Sequence, residues 1–134
     1  MSDYLFFKFD KNQINIVCGD LNVSPNEDDV WSHKQLQNVV SHTKVEREKL
    51  IQIMNRGKLV DTTRMFISPP KNVFTWWSYR SKDFKKNNRG RRLDHIWITD
   101  HHKVVSLNAK IIIDTRSLPQ PSDHVPISYE FDLG

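Results

Sequence analysis

The chain has 134 residues, of which 27% are charged and 37% hydrophobic, and its formal net charge at pH 7 is +4. This length fits one domain with a core of its own, and the basic charge is compatible with a polyanionic partner. The sequence contains no internal repeat and no low-complexity tract, which argues against a solenoid or a disordered tail.

The opening segment Met1–Asp10 has too short an apolar run, and the wrong flanking charge, for a signal peptide. No later window approaches the roughly 20 apolar residues of a membrane span. We therefore expect a cytoplasmic protein with no membrane partner.

The first predicted strand is the apolar run Ile14–Cys18, which Gly19 ends. Its cysteine is predicted to be a buried, reduced thiol. Asp20 and Asn22 follow at the carboxyl end of this strand, where residues two apart point to the same side. Such a pair can orient a water molecule and hold a phosphate oxygen; alternatively, it forms an Asx-turn that closes the strand.

The clearest predicted helix covers Thr43–Arg56. Thr43 and Glu46 form a capping-box pattern, apolar residues then recur at helical spacing, and Gly57 is placed as a C-cap. A second helix is expected near Val30–Val40.

A strand is predicted at Phe74–Trp77 from its aromatic and β-branched content. The segment after it combines cations with aromatic rings. The cations are Arg80, Lys82, Lys85, Lys86, Arg89, Arg91 and Arg92, and the rings are Trp76, Trp77 and Tyr79. This composition suits a nucleic-acid backbone, and it equally suits a solvated charged loop beside core aromatics.

Three further strands are predicted at Leu93–Thr99, Ala109–Ile113 and Val125–Phe131. Together with the earlier strands and one clear helix, they indicate an α/β or α+β sandwich.

Polar residues flank several of these strands. Asp20 and Asn22 follow the first strand, Asp94 begins the strand after the basic loop, and Asp123 and His124 precede the last strand. Carboxylates, an amide and an imidazole can position a divalent metal, orient a water and stabilise a phosphorane, so we predict a phosphodiester-cleaving site.

Five blocks of the sequence resemble, in order and spacing, the carboxyl-terminal half of the exodeoxyribonuclease III family, the abasic-site branch of the endonuclease/exonuclease/phosphatase superfamily. The Gly-Asp-x-Asn block alone is common to the superfamily, whereas the two tryptophan- and arginine-rich blocks are narrower. The blocks are 19–25, 57–62, 75–81, 88–94 and 121–126.

The resemblance implies an α/β fold that is half of a four-layered sandwich, with residues 1–134 as the carboxyl-terminal part of a single domain. It implies a DNA repair enzyme that requires Mg²⁺ (or Mn²⁺) and acts on double-stranded DNA, at abasic sites and at 3′ ends. The alternative is a non-catalytic DNA-binding or vestigial fragment of such an enzyme.

Residue roles follow from the same resemblance. Asp20 would activate the water or serve the leaving oxygen, Asn22 would bind the scissile phosphate, and Asp94 would orient the site. His124 would bind a phosphate oxygen and, with Asp123, assist the metal. The DNA-binding residues would be Trp76, Trp77, Arg80, Asn88, Arg89, Arg91 and Arg92.

The chain departs from the family in length, since members are about twice as long and their amino-terminal half supplies the principal metal-binding Glu. We therefore expect an incomplete metal site and a complementary amino-terminal half as a partner. One half alone would expose a sheet face, and several hundred Å² of wet apolar surface forfeits on the order of 10 kcal/mol. Since a native margin is about 5–15 kcal/mol, we predict a marginal or aggregation-prone chain.

Overall fold

The computed structural model describes Asp10 and residues 12–134, so the prediction about the opening segment Met1–Asp10 falls almost entirely outside it. Among the described residues, no helix is long and apolar enough to cross a bilayer. The strands are β1 (Ile16–Asp20), β2 (Leu59–Asp61), β3 (Asp94–Thr99), β4 (Val104–Ile111) and β5 (Ile127–Leu133). The helices are α1 (His33–Leu36), α2 (Lys44–Arg56), α3 (Thr62–Phe66) and α4 (Phe84–Asn87), and 3₁₀ turns lie at Glu27–Asp29 and Ile113–Ser117.

Two antiparallel sheets organise the chain. The first has the order β1-β3-β2, and the second is the β4-β5 hairpin. In the first sheet Asp20, the last residue of β1, pairs with Asp94, the first residue of β3. This register brings the two polar ends of neighbouring strands to the same corner of the sheet.

Helix α2 was predicted from the sequence, and the structure shows that it covers one face of the three-stranded sheet. Its N-cap Thr43 accepts a hydrogen bond from the backbone N–H of Glu46, whose side chain returns to the cap, and Gly57 caps the other end. Leu50 and Ile53 of the helix pack against Leu59 and Trp97 of the sheet. The capping box and the apolar stripe therefore specify both the helix and the face that it covers.

The predicted strand boundaries are less accurate than the predicted helix. The strand β3 matches its prediction to within one residue. The hairpin strand Val104–Ile111 begins and ends before the predicted Ala109–Ile113, and Ile127–Leu133 begins and ends after the predicted Val125–Phe131. The predicted helix near Val30–Val40 is a single turn, α1.

No continuous strand forms at Phe74–Trp77, so this prediction was wrong. Trp76 makes isolated bridges to Arg91 and to His124. The hydroxyl of Thr75 accepts hydrogen bonds from the backbone N–H groups of Leu93 and Asp94. The hydroxyl of Thr75 thus binds two backbone N–H groups that carbonyl groups of a neighbouring strand would bind in a regular sheet.

The predicted burial of Cys18 was also wrong, because its thiol is exposed. The strand β1 lies at the edge of its sheet. Alternate residues of β1 point to opposite faces; Val17 packs against the α2 core, whereas Ile16, on the other face, is 47% exposed. Cys18 and Asp20 lie on the same side of β1 as Ile16, so the catalytic candidate and two exposed side chains share one side of this edge strand.

A buried ion-pair cluster ties three segments of the chain to the sheet. The guanidinium of Arg92, which is 0% exposed, lies 2.8 Å from a carboxylate oxygen of Asp29 and 2.7 Å from one of Asp61. Asp29 also pairs with Arg64 at 3.0 Å. The loop after β1, the end of β2 and the residues entering β3 are therefore fixed relative to one another.

We expect Arg92→Met to destabilise the chain strongly. The substitution leaves two carboxylates without their common cation, and breaking a buried ion pair in this way costs about 3–5 kcal/mol. Urea unfolding measures the change in the free energy of unfolding. Arg80→Ala, which removes an exposed arginine of the same loop, should stay within about 0.5 kcal/mol. Equal effects of the two variants would contradict the assignment.

Candidate active site

Three polar side chains from separate parts of the chain converge at one corner of the sheet. The Nδ1 of His124 donates to Oδ2 of Asp94 at 2.8 Å, and Nε2 of the same ring lies 3.7 Å from Oδ2 of Asp20. Ligand atoms of these three residues lie within 4.8 Å of one another. The imidazole is thus placed between two carboxylates, one bonded and one facing its second nitrogen.

Asp94 and His95 are adjacent in β3, so their side chains point to opposite faces of the sheet and have different roles. Asp94 faces the site, while His95 is 1% exposed and its Nε2 donates to the carbonyl of Val23 at 2.8 Å. Burial, together with the charge of Arg92, lowers the pKa of His95 to about 4. The neutral ring of His95 therefore anchors the loop that follows Asp20 from inside the core.

Asp20 and Asn22 form the Asx-turn that was the alternative interpretation of their spacing. The backbone N–H of Asn22 donates to Oδ1 of Asp20 at 2.9 Å, and Asn22 has a positive φ of 55°. The turn does not remove Asp20 from the site, because its other oxygen, Oδ2, is the one that faces His124. The Asx-turn is therefore present, and it is compatible with the predicted chemical role of Asp20, while the side chain of Asn22 is exposed.

Thr75 belongs to the site and was missed by the sequence analysis, which took it for a strand-forming residue. It is fully buried, and its hydroxyl donates to Oδ2 of Asp94 at 2.6 Å. The same carboxylate oxygen accepts from His124. Because Thr75 also accepts from two backbone N–H groups, it locks Asp94 in the orientation that holds the imidazole.

The electrostatic environment favours a charged His124. Burial opposes the charge, but the hydrogen bond to Asp94 and the negative charges of Asp94, Asp20 and Asp123 outweigh it and raise the pKa of His124. A protonated imidazole with one N–H bonded to Asp94 still has its Nε2–H to offer. Such a group can bind an anionic phosphate oxygen.

Asp123 lies beside this group, and its carboxylate has a different partner. Its Oδ2 accepts a hydrogen bond from the indole N–H of Trp76 at 3.0 Å. Asp123 is not among the three residues whose ligand atoms cluster, although its charge acts on His124. Adjacent residues of an extended segment point in different directions, which accounts for the two roles.

The donor set fits a hard divalent ion in part. Mg²⁺ prefers six oxygen ligands, whereas this cluster offers two carboxylates and one imidazole that is already hydrogen-bonded through Nδ1. Mn²⁺ accepts imidazole more readily. The carboxylate of Asp20 is the most exposed of the three groups, and it is the one best placed to hold an ion that also takes ligands from elsewhere.

The residues predicted to bind DNA divide into exposed and buried groups. Arg80 and Arg89 are exposed, while Trp76 and Arg91 are half-buried and lie together, with the guanidinium 5.6 Å from the indole centroid. Arg91 is held by the carbonyl of Val40 and the hydroxyl of Ser41. These four side chains line one cleft.

Two predicted DNA contacts are corrected by the structure. Trp77 is 2% exposed and packs in a core cluster with Phe74, Phe84 and Val125, because its side chain points away from that of Trp76. Arg92 is 0% exposed in its ion pairs with acidic residues. Asn88, also predicted to contact DNA, is half-buried and accepts the indole N–H of Trp77 at 3.2 Å.

The sequence matches the Endonuclease/Exonuclease/phosphatase family over residues 5–124. It is 31% identical to exodeoxyribonuclease III of Haemophilus influenzae over 98% of this chain and 51% of that protein. It is 30% identical to an exodeoxyribonuclease of Bacillus subtilis over 90% of this chain and 45% of that protein. The chain spans about half the length of the relatives that it matches.

Solved structures show the same fold with the same partial coverage. An AP endonuclease from Archaeoglobus fulgidus superposes with a TM-score of 0.89 at 29% identity, over 98% of this chain and 51% of that one. A 3′-5′ exonuclease from Neisseria meningitidis gives 0.86 at 26% identity, over 98% and 50%. The α/β fold predicted from the sequence is confirmed.

We expect the pKa of His124 to lie above 6.5 in the chain and to fall in Asp94→Asn. Asp123→Asn should lower it less, since Asp123 contributes the smallest of the charges that raise it. NMR titration of the imidazole in chelator-treated buffer measures each midpoint. An unchanged midpoint in Asp94→Asn would rule out the pairing as the cause.

The same titration has a stability consequence. Because the folded-state pKa is raised above the unfolded one, the charged imidazole stabilises the chain fully below pH 6.5, and this contribution is lost as the pH rises through the folded-state pKa. The difference in unfolding free energy between the chain and Asp94→Asn should shrink over that range.

Proposed function

This chain belongs to the Endonuclease/Exonuclease/phosphatase family, and from its site we propose that it is the carboxyl-terminal part of a DNA repair nuclease of the exodeoxyribonuclease III type. The observation that carries the proposal is the arrangement of Asp94, His124 and Asp20. Asp94 orients the imidazole through Nδ1, and Oδ2 of Asp20 lies 3.7 Å from Nε2 on the other side of the ring. The proposed reaction is hydrolysis of DNA phosphodiesters at abasic sites and 3′ ends.

The proposed chemistry assigns one task to each group. Asp20 takes a proton from the attacking water while the new P–O bond forms. The bridging P–O bond to the leaving strand breaks, and its oxygen takes a proton from solvent water and leaves as a hydroxyl group. His124 donates Nε2–H to a non-bridging oxygen and offsets the charge of the transition state, while Asp94 keeps the ring oriented. Asn22, whose side chain is exposed, would bind the scissile phosphate.

A divalent ion fits the proposal as a shared cofactor. When bound, Mg²⁺ (or Mn²⁺) would add positive charge near the phosphoryl group and lower the pKa of coordinated water. Asp20 would be the principal ligand from this chain. The remaining oxygen ligands would come from a second polypeptide segment, since the cluster offers only two carboxylates.

We propose that double-stranded DNA lies along the cleft that begins at Trp76. Arg80, Arg89 and Arg91 line this cleft and would contact phosphates, each contact releasing bound counterions. Trp77 and Arg92 are left out, because both are buried. A cytoplasmic location is part of the proposal, since the substrate would be the cell's own DNA.

We also propose that a complementary amino-terminal half completes the enzyme. The chain covers about half of its relatives, and the β1 face that carries Asp20 also carries the exposed Ile16 and Cys18. These exposed side chains beside Asp20 are the surface that we propose the other half covers. Binding of the other half there would bury this apolar surface and bring further metal ligands to the same corner.

The assay that tests the function uses duplex DNA with a single abasic site. The chain is combined with the amino-terminal half of a relative such as the Haemophilus influenzae enzyme, with Mg²⁺ and then with chelator. We expect chelator-sensitive incision that Asp20→Ala or His124→Ala reduces by about a hundredfold or more, since each removes a group that stabilises the transition state.

Asp114→Ala and His102→Ala are matched controls, because both residues are exposed and lie outside the cluster. They should leave the rate unchanged. Binding of the DNA without incision, in the presence of the other half, would favour the non-catalytic fragment instead.

Cys18 reports on the proposed assembly. It is the only cysteine in the sequence and is exposed on the β1 face. Its alkylation rate should fall by about tenfold or more when the complementary half is present well above its dissociation constant, because the thiol becomes buried. Cys18→Ser gives the background. An unchanged rate, with binding shown independently, would place the interface elsewhere.

A further inference from the structure

Two buried histidines hold the loop that follows Asp20. Nδ1 of His42 lies 2.7 Å from the carbonyl oxygen of Ser24, and Nε2 of His95 lies 2.8 Å from the carbonyl oxygen of Val23. His42 is 0% exposed and His95 is 1% exposed. Because a carbonyl oxygen can only accept, each of these ring nitrogens carries a proton and donates it. Consecutive carbonyls of the loop are therefore fixed from inside the core.

Ser24 also joins the loop to two other segments of the chain. Its backbone N–H donates to the carbonyl of Ser41 at 2.8 Å, and its hydroxyl donates to the carbonyl of Arg92 at 2.7 Å. Asn22 lies two residues before Ser24, with a positive φ of 55° and an exposed side chain. The direction in which Asn22 presents its amide therefore depends on how Ser24 is held.

His42 makes a second hydrogen bond, to another histidine. Its Nε2 lies 2.8 Å from Nδ1 of His33, and the two rings meet edge to face at 88°. Since Nδ1 of His42 carries the proton donated to Ser24, Nε2 of the neutral ring accepts, and Nδ1 of His33 donates. The other nitrogen of His33, Nε2, lies 3.5 Å from a carboxylate oxygen of Glu27, which can balance a positive charge on His33.

The contact between the two rings has room for one proton. A single positive charge can belong to either ring, because one ring then donates and the other accepts. When both rings are charged, an N–H of His33 and an N–H of His42 face each other across 2.8 Å, and the hydrogen bond is replaced by repulsion. The Nε2–H of His42 then has no acceptor at a position that is 0% exposed.

The surroundings of His42 keep its ring neutral at neutral pH. Burial lowers the pKa of His42 most, and the positive charges of Arg47 and His33 lower it further. The hydrogen bond to a backbone carbonyl and the negative charge of Asp29 act in the opposite direction without outweighing burial. The remaining negative charge close to the ring is that of Glu46, which caps α2.

We propose that His42 is a positioning residue for the loop that carries Asn22, and that the pair of His33 and His42 releases this loop in acid, when both rings are charged. A charged His42 must turn to relieve the repulsion, and its bond to the Ser24 carbonyl is then lost. This inference rests on the proposed function, in which Asn22 binds the scissile phosphate. It adds an acid limit to activity that comes from residues outside the reacting groups.

The first test is an NMR pH titration of the chain in chelator-treated buffer. It follows the ring nitrogens of His42 and the backbone amide of Ser24. We expect His42 in its Nδ1–H form at neutral pH, and we expect the ring and the amide to share one midpoint below 6.5. The pKa of His124 is raised instead, so the two transitions are separate. An Nε2–H form of His42, or an amide that does not follow the ring, would overturn the proposal.

His33→Gln tests the coupling between the rings. The variant removes a half-buried like charge, and its side-chain oxygen can accept from a charged His42. We therefore expect the shared midpoint to rise. His102→Gln removes an exposed histidine between β3 and β4 and should leave the midpoint unchanged. The same midpoint in His33→Gln and in the unmodified chain would show that the two rings are not coupled.

His42→Phe keeps a buried ring that cannot donate to Ser24. In the incision assay with the other half, we expect this variant to lower the rate roughly tenfold at neutral pH, because the loop is displaced. In His33→Gln, which keeps His42, the loss of rate toward acid should begin at a higher pH than in the unmodified chain. An identical pH profile for these two proteins would exclude the positioning role.

The two proposals fail separately. If the His42 ring and the Ser24 amide titrate together but no incision occurs with the other half, the hold of the pair on the loop is confirmed and the nuclease proposal is wrong. If the DNA is incised and the Ser24 amide does not follow His42, the nuclease proposal stands and the role of the pair is wrong.

Discussion

The ion pairs of Arg92 are the interaction on which the rest of the arrangement depends. One guanidinium joins Asp29, in the loop after β1, to Asp61, at the end of β2, and it belongs to a residue two positions before Asp94, where β3 begins. Charged groups this deeply buried are tolerated only when they are paired. The pairing therefore determines where β3 begins, and with it where Asp94 and the imidazole that Asp94 holds are placed.

Helix α2 was predicted well because the causes of its bounds are local, whereas the helix expected near Val30–Val40 is a single turn. The capping box of Thr43 and Glu46, the apolar stripe and Gly57 act within a few residues of one another, so the sequence contains the information needed to bound α2. The strand β3 could also be predicted from the sequence, since apolar and polar residues alternate along it. Asp20 and Asp94 could be predicted as candidate site residues because both lie at strand ends. Their proximity depends on the register between β1 and β3, which pairs these two residues.

What escaped the sequence analysis depends on contacts between distant residues. Thr75 resembles a strand former until its hydroxyl is seen to serve Asp94 and two backbone N–H groups. Arg92 and Arg91 are neighbours in one basic run, yet one is buried between acids from other segments and the other lines the cleft. The two residues carry the same charge, so charge in the sequence does not show which of them is buried and which lines the cleft. Cys18 was taken for a core residue because an apolar run does not show whether its strand lies at the centre or the edge of a sheet.

The exposed side of β1 has a consequence for how the site would be closed. Ile16, Cys18 and Asp20 lie on the same side of one edge strand, so any polypeptide segment that covered Ile16 would also approach the carboxylate. Burial of this apolar side chain would then stabilise the same contact that excludes water from the cluster of Asp20, Asp94 and His124.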